Sequence, residues 1–201
     1  MQSRSSPGPN LVPQHQGLVP LYVSLIVLEW ALVRYVWAGV RKQGGGLFEL
    51  IGGRWSTAKT ALLDFAIALP FWVVWEATAR LVHALLGRSE AKSIDVLLPK
   101  GATEVALWFA LSASAGVCEE IVFRGYFQKQ FRALTGSVAA AVLLQAIVFG
   151  AAHAYQGLKQ VSVITVLGVL YGLLAEWCRT LRPGMLAHAW SDIYGGYLKF
   201  L

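Results

Sequence analysis

The chain has 201 residues, 56% of them hydrophobic and only 14% charged, with a mean hydropathy of +0.55, a balance too apolar for a soluble domain. A net charge of +6 would suit a nucleic-acid binder, but the Lys and Arg residues are scattered over short connections and form no stripe, so no nucleic-acid partner is expected. The apolar runs are continuous rather than alternating, which argues against a β-barrel and for several helices of the ~20 residues needed to cross a bilayer.

Residues 1–18 (MQSRSSPGPNLVPQHQGL) are rich in Ser, Pro, Gln and Gly and have no apolar period; they read as a disordered tail. Residues 19–201 then form a single transmembrane domain. Its first span, Val19 to about Val40, is too long and too aromatic for a signal peptide and carries no small-residue cleavage pattern. Arg41, Lys42 and the following QGGGLFELIGGRW read as a Gly-rich loop, with no Lys-Ser or Lys-Thr closing it into a phosphate-binding turn. A second span covers about Thr60 to Leu86, and within it Glu76 and Arg80 stand four apart and pair. Residues 87–101 are a polar connection.

A third helix begins near Thr103 and continues through the amphipathic GYFQKQFRAL to Leu134, ending at Thr135-Gly136-Ser137. The fourth helix runs from about Ser137 to Tyr155 and the fifth from Gln160 to Arg179. The sixth spans Met185 to Phe200 after the helix-starting Arg182-Pro183-Gly184. The expectation is therefore an all-α, polytopic bundle of about six transmembrane helices around an intramembrane polar cavity, held in the lipid bilayer of the plasma membrane. Cys118 and Cys178 both fall inside apolar helices, so neither a disulfide framework nor a cysteine zinc site is expected. His15 and His83 have no partner at helical spacing and read as bystanders, and most of the tryptophans as interface or packing aromatics.

Ionisable groups at membrane depth are costly and mark function, and this chain concentrates them. Glu119, Glu120 and Arg124 interrupt the third helix; FGAAH from Phe149 to His153 and HAWSD from His188 to Asp192 follow in equally apolar surroundings. Glu119 lies seventeen residues before Gly136 and His153 seventeen after it. At ~1.5 Å per residue both sit about 25 Å from the turn on antiparallel neighbours, hence at one depth. Glu120 and Arg124, four apart, share a face and neutralise each other. Glu119, about 100° round the helix, is left for the cavity. His188 and Asp192 enter from the same side of the membrane as the Gly136 turn and approach the other two motifs.

With EExxxR, FxxxH and HxxxD in this order, the chain resembles the CAAX protease and bacteriocin-processing family of intramembrane glutamic endopeptidases, over about residues 103–195. The resemblance implies hydrolysis of a peptide bond near the end of a membrane-associated protein or peptide. In it Glu119 is the general base and His153 helps to hold the attacking water. His188 and the residue four later would stabilise the oxyanion. Here that residue is Asp192 where one form of the family has asparagine; a carboxylate accepts hydrogen bonds but donates none, so Asp192 is expected to orient His188 while His188 supplies the donor. No cofactor and no metal are expected.

Other readings of the same residues remain open. Glu119, Glu120 and Arg124 could be a packing ion cluster, although structure alone needs one acid per base. His153, His188, Asp192 and Glu119 could ligate zinc in a membrane metalloprotease, but no HExxH occurs. A non-catalytic immunity or scaffold protein shares the resemblance. A proton-coupled transporter would be expected to show an inverted repeat, and none is detected. With the tail outside, eight basic residues face the cytoplasm and six face outward, which puts the site nearer the cytoplasmic face.

Overall fold

The structure is a computed structural model that describes residues 17–87 and 97–197. Most of the expected tail, the middle of the polar connection after the second span and the last four residues lie outside the described residues. Among the described residues all regular structure is helical.

Helix α1 is Val19–Lys42, with Pro20 in its first turn and Arg41 and Lys42 in its last, where they oppose the helix dipole. The Gly-rich loop that follows contains a short helix, α2, Leu47–Ile51, which corrects the expectation of an unstructured connection. Local pattern could not reveal it, because its reason is tertiary: Leu50 is buried against Val122 and Leu181 of the core. Its ends are closed by Glu49, whose Oε2 accepts from Gly46 N at 3.1 Å, and by Gly52 at φ 87. Helix α3, Ala58–Leu86, starts at Thr57, whose hydroxyl accepts from Thr60 N at 3.2 Å.

Helix α4, Ala102–Glu119, passes without a break into a π-helical segment, Glu120–Phe127, and then into α5, Gln128–Thr135. The expected single long helix is thus continuous but not α throughout. The reason is visible in its inward line: Ser112, Glu120, Arg124 and Gln128 are all buried, with the buried Gly116 completing a repeat of four. In a straight α-helix of 3.6 residues per turn such a repeat drifts about 40° at each step. The wider π turn winds it back toward one face. At Gly136 (φ 67) the chain reverses into α6, Val138–Ala152, which ends with His153 as its cap rather than at Tyr155. One turn of 3-10 helix, Ala154–Gln156, leads to α7, Leu158–Cys178, and α8 is Arg182–Tyr197.

Four stretches, Val19–Lys42, Ala58–Leu86, Ala102–Thr135 and Leu158–Cys178, are long and apolar enough to cross a membrane, and α6 is a shorter apolar helix. Large apolar side chains such as Val27, Leu62, Leu69 and Trp177 point outward while Glu120, Arg124, Gln128, Gln145 and His188 are buried. This polar-inside arrangement is what lipid requires. Close approach of α6, α7 and the π-α5 stretch depends on Gly172: a β-carbon there would lie 2.7 Å from Gln145 Nε2 and 2.8 Å from Gln128 Oε1. Both glutamines use the room, Gln145 Nε2 donating to Gly168 O at 2.8 Å and Gln128 Nε2 to Gly172 O at 3.2 Å.

Candidate active site

The π segment delivers the first motif. Arg124 Nη1 donates to Glu120 Oε1 at 2.9 Å, and both side chains are almost fully buried. Among the described residues the remaining guanidinium nitrogens, Nε and Nη2, have no hydrogen-bond partner. Aromatic faces cover them instead: the guanidinium carbon lies 4.2 Å from the Phe149 ring centre and 5.0 Å from that of Tyr171. Phe149 of the second motif is therefore the cover of the first motif's arginine.

Glu120 carries a second load. Its Oε1 also receives Nδ1 of His188 at 3.1 Å, so one carboxylate oxygen ties the π segment to α8. The two helices can meet because α8 is small where they touch. A β-carbon at Gly184 would lie 3.1 Å from Glu120 Oε2, which sets the carboxylate against the first turn of α8, where the helix dipole favours an anion. A β-carbon at Gly116 would come closer still to the α8 backbone, 2.6 Å from Ala189 N and 2.8 Å from Met185 O. The start of α8 is clamped from the other side: Arg182 pairs with the buried Asp64 of α3 at 2.8 Å and donates to Arg54 O at 2.7 Å. Trp55 Nε1 donates to the same carboxylate at 2.7 Å.

His188 Nε2, the opposite ring nitrogen, points at Glu119 Oε2, 3.5 Å away, and at Asp192 Oδ2, 3.8 Å away. Carboxylates only accept, so all neighbours of this imidazole call for donors, and a ring protonated on both nitrogens meets them. Tyr171 stacks on it with ring centres 5.1 Å apart. Trp108 Nε1 donates to Asp192 O at 3.0 Å and fixes the α8 backbone at that level.

His153 is held differently. Its Nδ1 lies 2.9 Å from Phe149 O; a carbonyl can only accept, so Nδ1 carries the proton and a neutral ring keeps a lone pair on Nε2. Phe149 packs edge-on against it, ring centres 4.9 Å apart. Glu119, His153 and Asp192 all line one cavity of about 390 Å³ between α1, α4, the end of α6 and α8. Glu120 and Arg124 do not line it and stand behind as the buried support, while His188, also buried, turns Nε2 toward the cavity-lining Glu119 and Asp192. The structure thus gathers the six candidate site residues into a row that borders the cavity and a buried row behind it.

Two members were not found by motif. Glu29 of α1 lines the same cavity; an acid without a base at helical spacing within a span is the signal that marks it. Tyr171 gave no signal, since a tyrosine in an apolar helix reads as packing. Cys118 is buried in the apolar core beside the motif, and Arg80 and Glu76 pair at 3.3 Å as their spacing required. Among the described residues no group of three or more His, Cys, Asp or Glu side chains is arranged to hold a metal ion.

Residues 101–194 match the family model of the Rce1-like type II CAAX prenyl endopeptidases. The match runs from the start of α4 into α8 and contains all three motifs, in agreement with the resemblance read from them. No curated protein and no solved structure matches the chain.

Proposed function

We propose that the chain is an intramembrane endopeptidase of the glutamic type, cutting a peptide bond near the end of a membrane-associated protein or peptide. The observation that carries this reading is the shared cavity: a carboxylate, Glu119, and an imidazole whose Nε2 accepts, His153, border the same space, which is large enough for water and a peptide segment. The family match supports it at the level of a CAAX-type protease.

Water held between Glu119 and His153 gives a proton to the Glu119 carboxylate as its oxygen attacks the peptide carbonyl carbon. The tetrahedral oxyanion forms beside His188, whose Nε2 is turned to the cavity side of its ring and offers the donor that stabilises it. The C–N bond then breaks, and Glu119 returns the proton to the leaving amine, so acid, amine and enzyme are all accounted for. Glu120 and Arg124 position His188 without reaching the reacting atoms. Asp192, beside His188, orients it and borders the substrate space.

The test is cleavage of a membrane-anchored peptide by purified protein in lipid nanodiscs. Glu119→Gln removes the base and is expected to lower kcat about 10²–10⁴-fold with the thermal midpoint unchanged. Full activity of that variant would end the glutamic reading. Activity that disappears with a chelator and returns with zinc would replace it by the metalloprotease.

A further inference from the structure

The cavity is bordered by more acid than the reaction above uses. Glu29, Glu119 and Asp192 all line it, and among the described residues no Lys or Arg does. Arg124, the buried cation nearby, is committed to Glu120 and sealed behind Phe149. Glu29 Oε2 is buried and, among the described residues, has no hydrogen-bond partner. A buried acceptor left unsatisfied costs stability, the more so inside a membrane. Apart from Tyr22, the remaining wall supplied by α1 is aliphatic: Leu21, Leu25, Leu28 and Leu32 recur at spacings of three and four and line the cavity along one helix face. The helix is fixed there by Trp30, whose Nε1 donates to Ser114 Oγ of α4 at 3.1 Å.

We infer that this cavity selects peptides carrying a basic side chain close to the scissile bond, with Glu29 as the group that receives it. The inference rests on the endopeptidase reading and names its substrate class. A Lys or Arg suits both surfaces at once: the methylene stem lies along the leucine face and the cationic head supplies the donor that Glu29 lacks. It also neutralises the charge that a Glu29 carboxylate would otherwise hold beside Glu119 and Asp192 in a poorly screened space. Glu29 lies outside the matched segment 101–194, so the preference belongs to this chain's α1 and not to the motif residues.

The experiment uses the full chain in nanodiscs and three otherwise identical membrane-anchored peptides with Lys, Gln or Glu beside the cleaved bond. The wild type is expected to favour the Lys peptide over the Gln peptide about tenfold in kcat/KM, the effect of one good charged contact. Glu29→Gln should bring the ratio of kcat/KM for the Lys and Gln peptides to about one, and Glu29→Lys should invert the preference toward the Glu peptide. The same peptides are also titrated against His153→Ala, which keeps all three acids and reads binding without cleavage. Equal affinities and equal rates for the Lys and Gln peptides would overturn the inference and leave the protease reading intact. Tighter binding of the Lys peptide with no cleavage by wild type would instead sink the protease reading and leave the selective cavity standing.

Discussion

Arg124 and His153 differ in what their loss should do, because one is sealed and the other borders the cavity. Removing the Arg124 side chain leaves Glu120 as a buried charge with its main partner gone and empties the slot between Phe149 and Tyr171. Arg124→Ala is therefore expected to cost about 3–5 kcal/mol, read as a fall in the thermal midpoint and in folded yield from detergent. The double variant Glu120→Gln/Arg124→Met, which removes both charges and fills the slot, should recover much of that loss. Failure to recover would mean that the pair is not the reason for the instability. His153→Gln should leave the midpoint unchanged and act on kcat, since among the described residues the ring hydrogen-bonds only to its own helix, at Phe149. Most of this site was legible from spacing: Glu119 and His153 are placed symmetrically about Gly136, and Glu120 and Arg124 are four apart. Tyr171 was not legible, because its role is defined by what stacks on it, Arg124 and His188, and both come from other helices.

At the scale of elements, the apolar spans were readable because hydropathy records which segments are surrounded by lipid. Winding leaves a subtler trace. The π segment follows from a polar repeat of exact four-residue spacing, Ser112 to Gln128, which no straight α-helix keeps on one face. Helix α2 lacked even that trace, being five residues long and held by Leu50 in the core. Deleting Val122 from within the π segment should convert it toward α geometry, shortening the Glu120–Arg124 spacing from four residues to three and shifting both side chains off the positions that meet His188 and Phe149. The expected product is a folded, helical protein with cleavage abolished; retained activity would show that the π turn does not set the site. Gly172→Ala tests the opposite side of the same packing. Its β-carbon would press on Gln145 and Gln128, and a cost of about 1–3 kcal/mol in the unfolding midpoint is expected, with activity lost only as the protein unfolds.

For the whole molecule, the two ends of the bundle are unlike. One end gathers Arg41, Lys42, Arg54, Lys59, Lys129, Arg132, Arg179 and Arg182, joined across elements by Lys129 to Glu49 O at 3.1 Å, Arg132 to Glu176 at 3.1 Å and Arg182 to Arg54 O. The cavity extends the other way. From Phe123 and Glu119 it reaches Leu21 and Tyr22 at the start of α1, Leu97, and Tyr155 and Gln156 of the turn after α6. Basic ends face the cytoplasm, so the substrate space is expected to lead toward the opposite face even though the motifs themselves were read as lying nearer the cytoplasmic one. In a variant with Cys118→Ala and Cys178→Ala, single cysteines at Tyr155 and Arg132 separate the cases. An impermeant thiol reagent added to intact cells should label position 155 and spare position 132, and a membrane-anchored peptide bound in the cavity should protect position 155. Labelling of 132 alone would invert the orientation, and with it the side from which a peptide must approach Glu119.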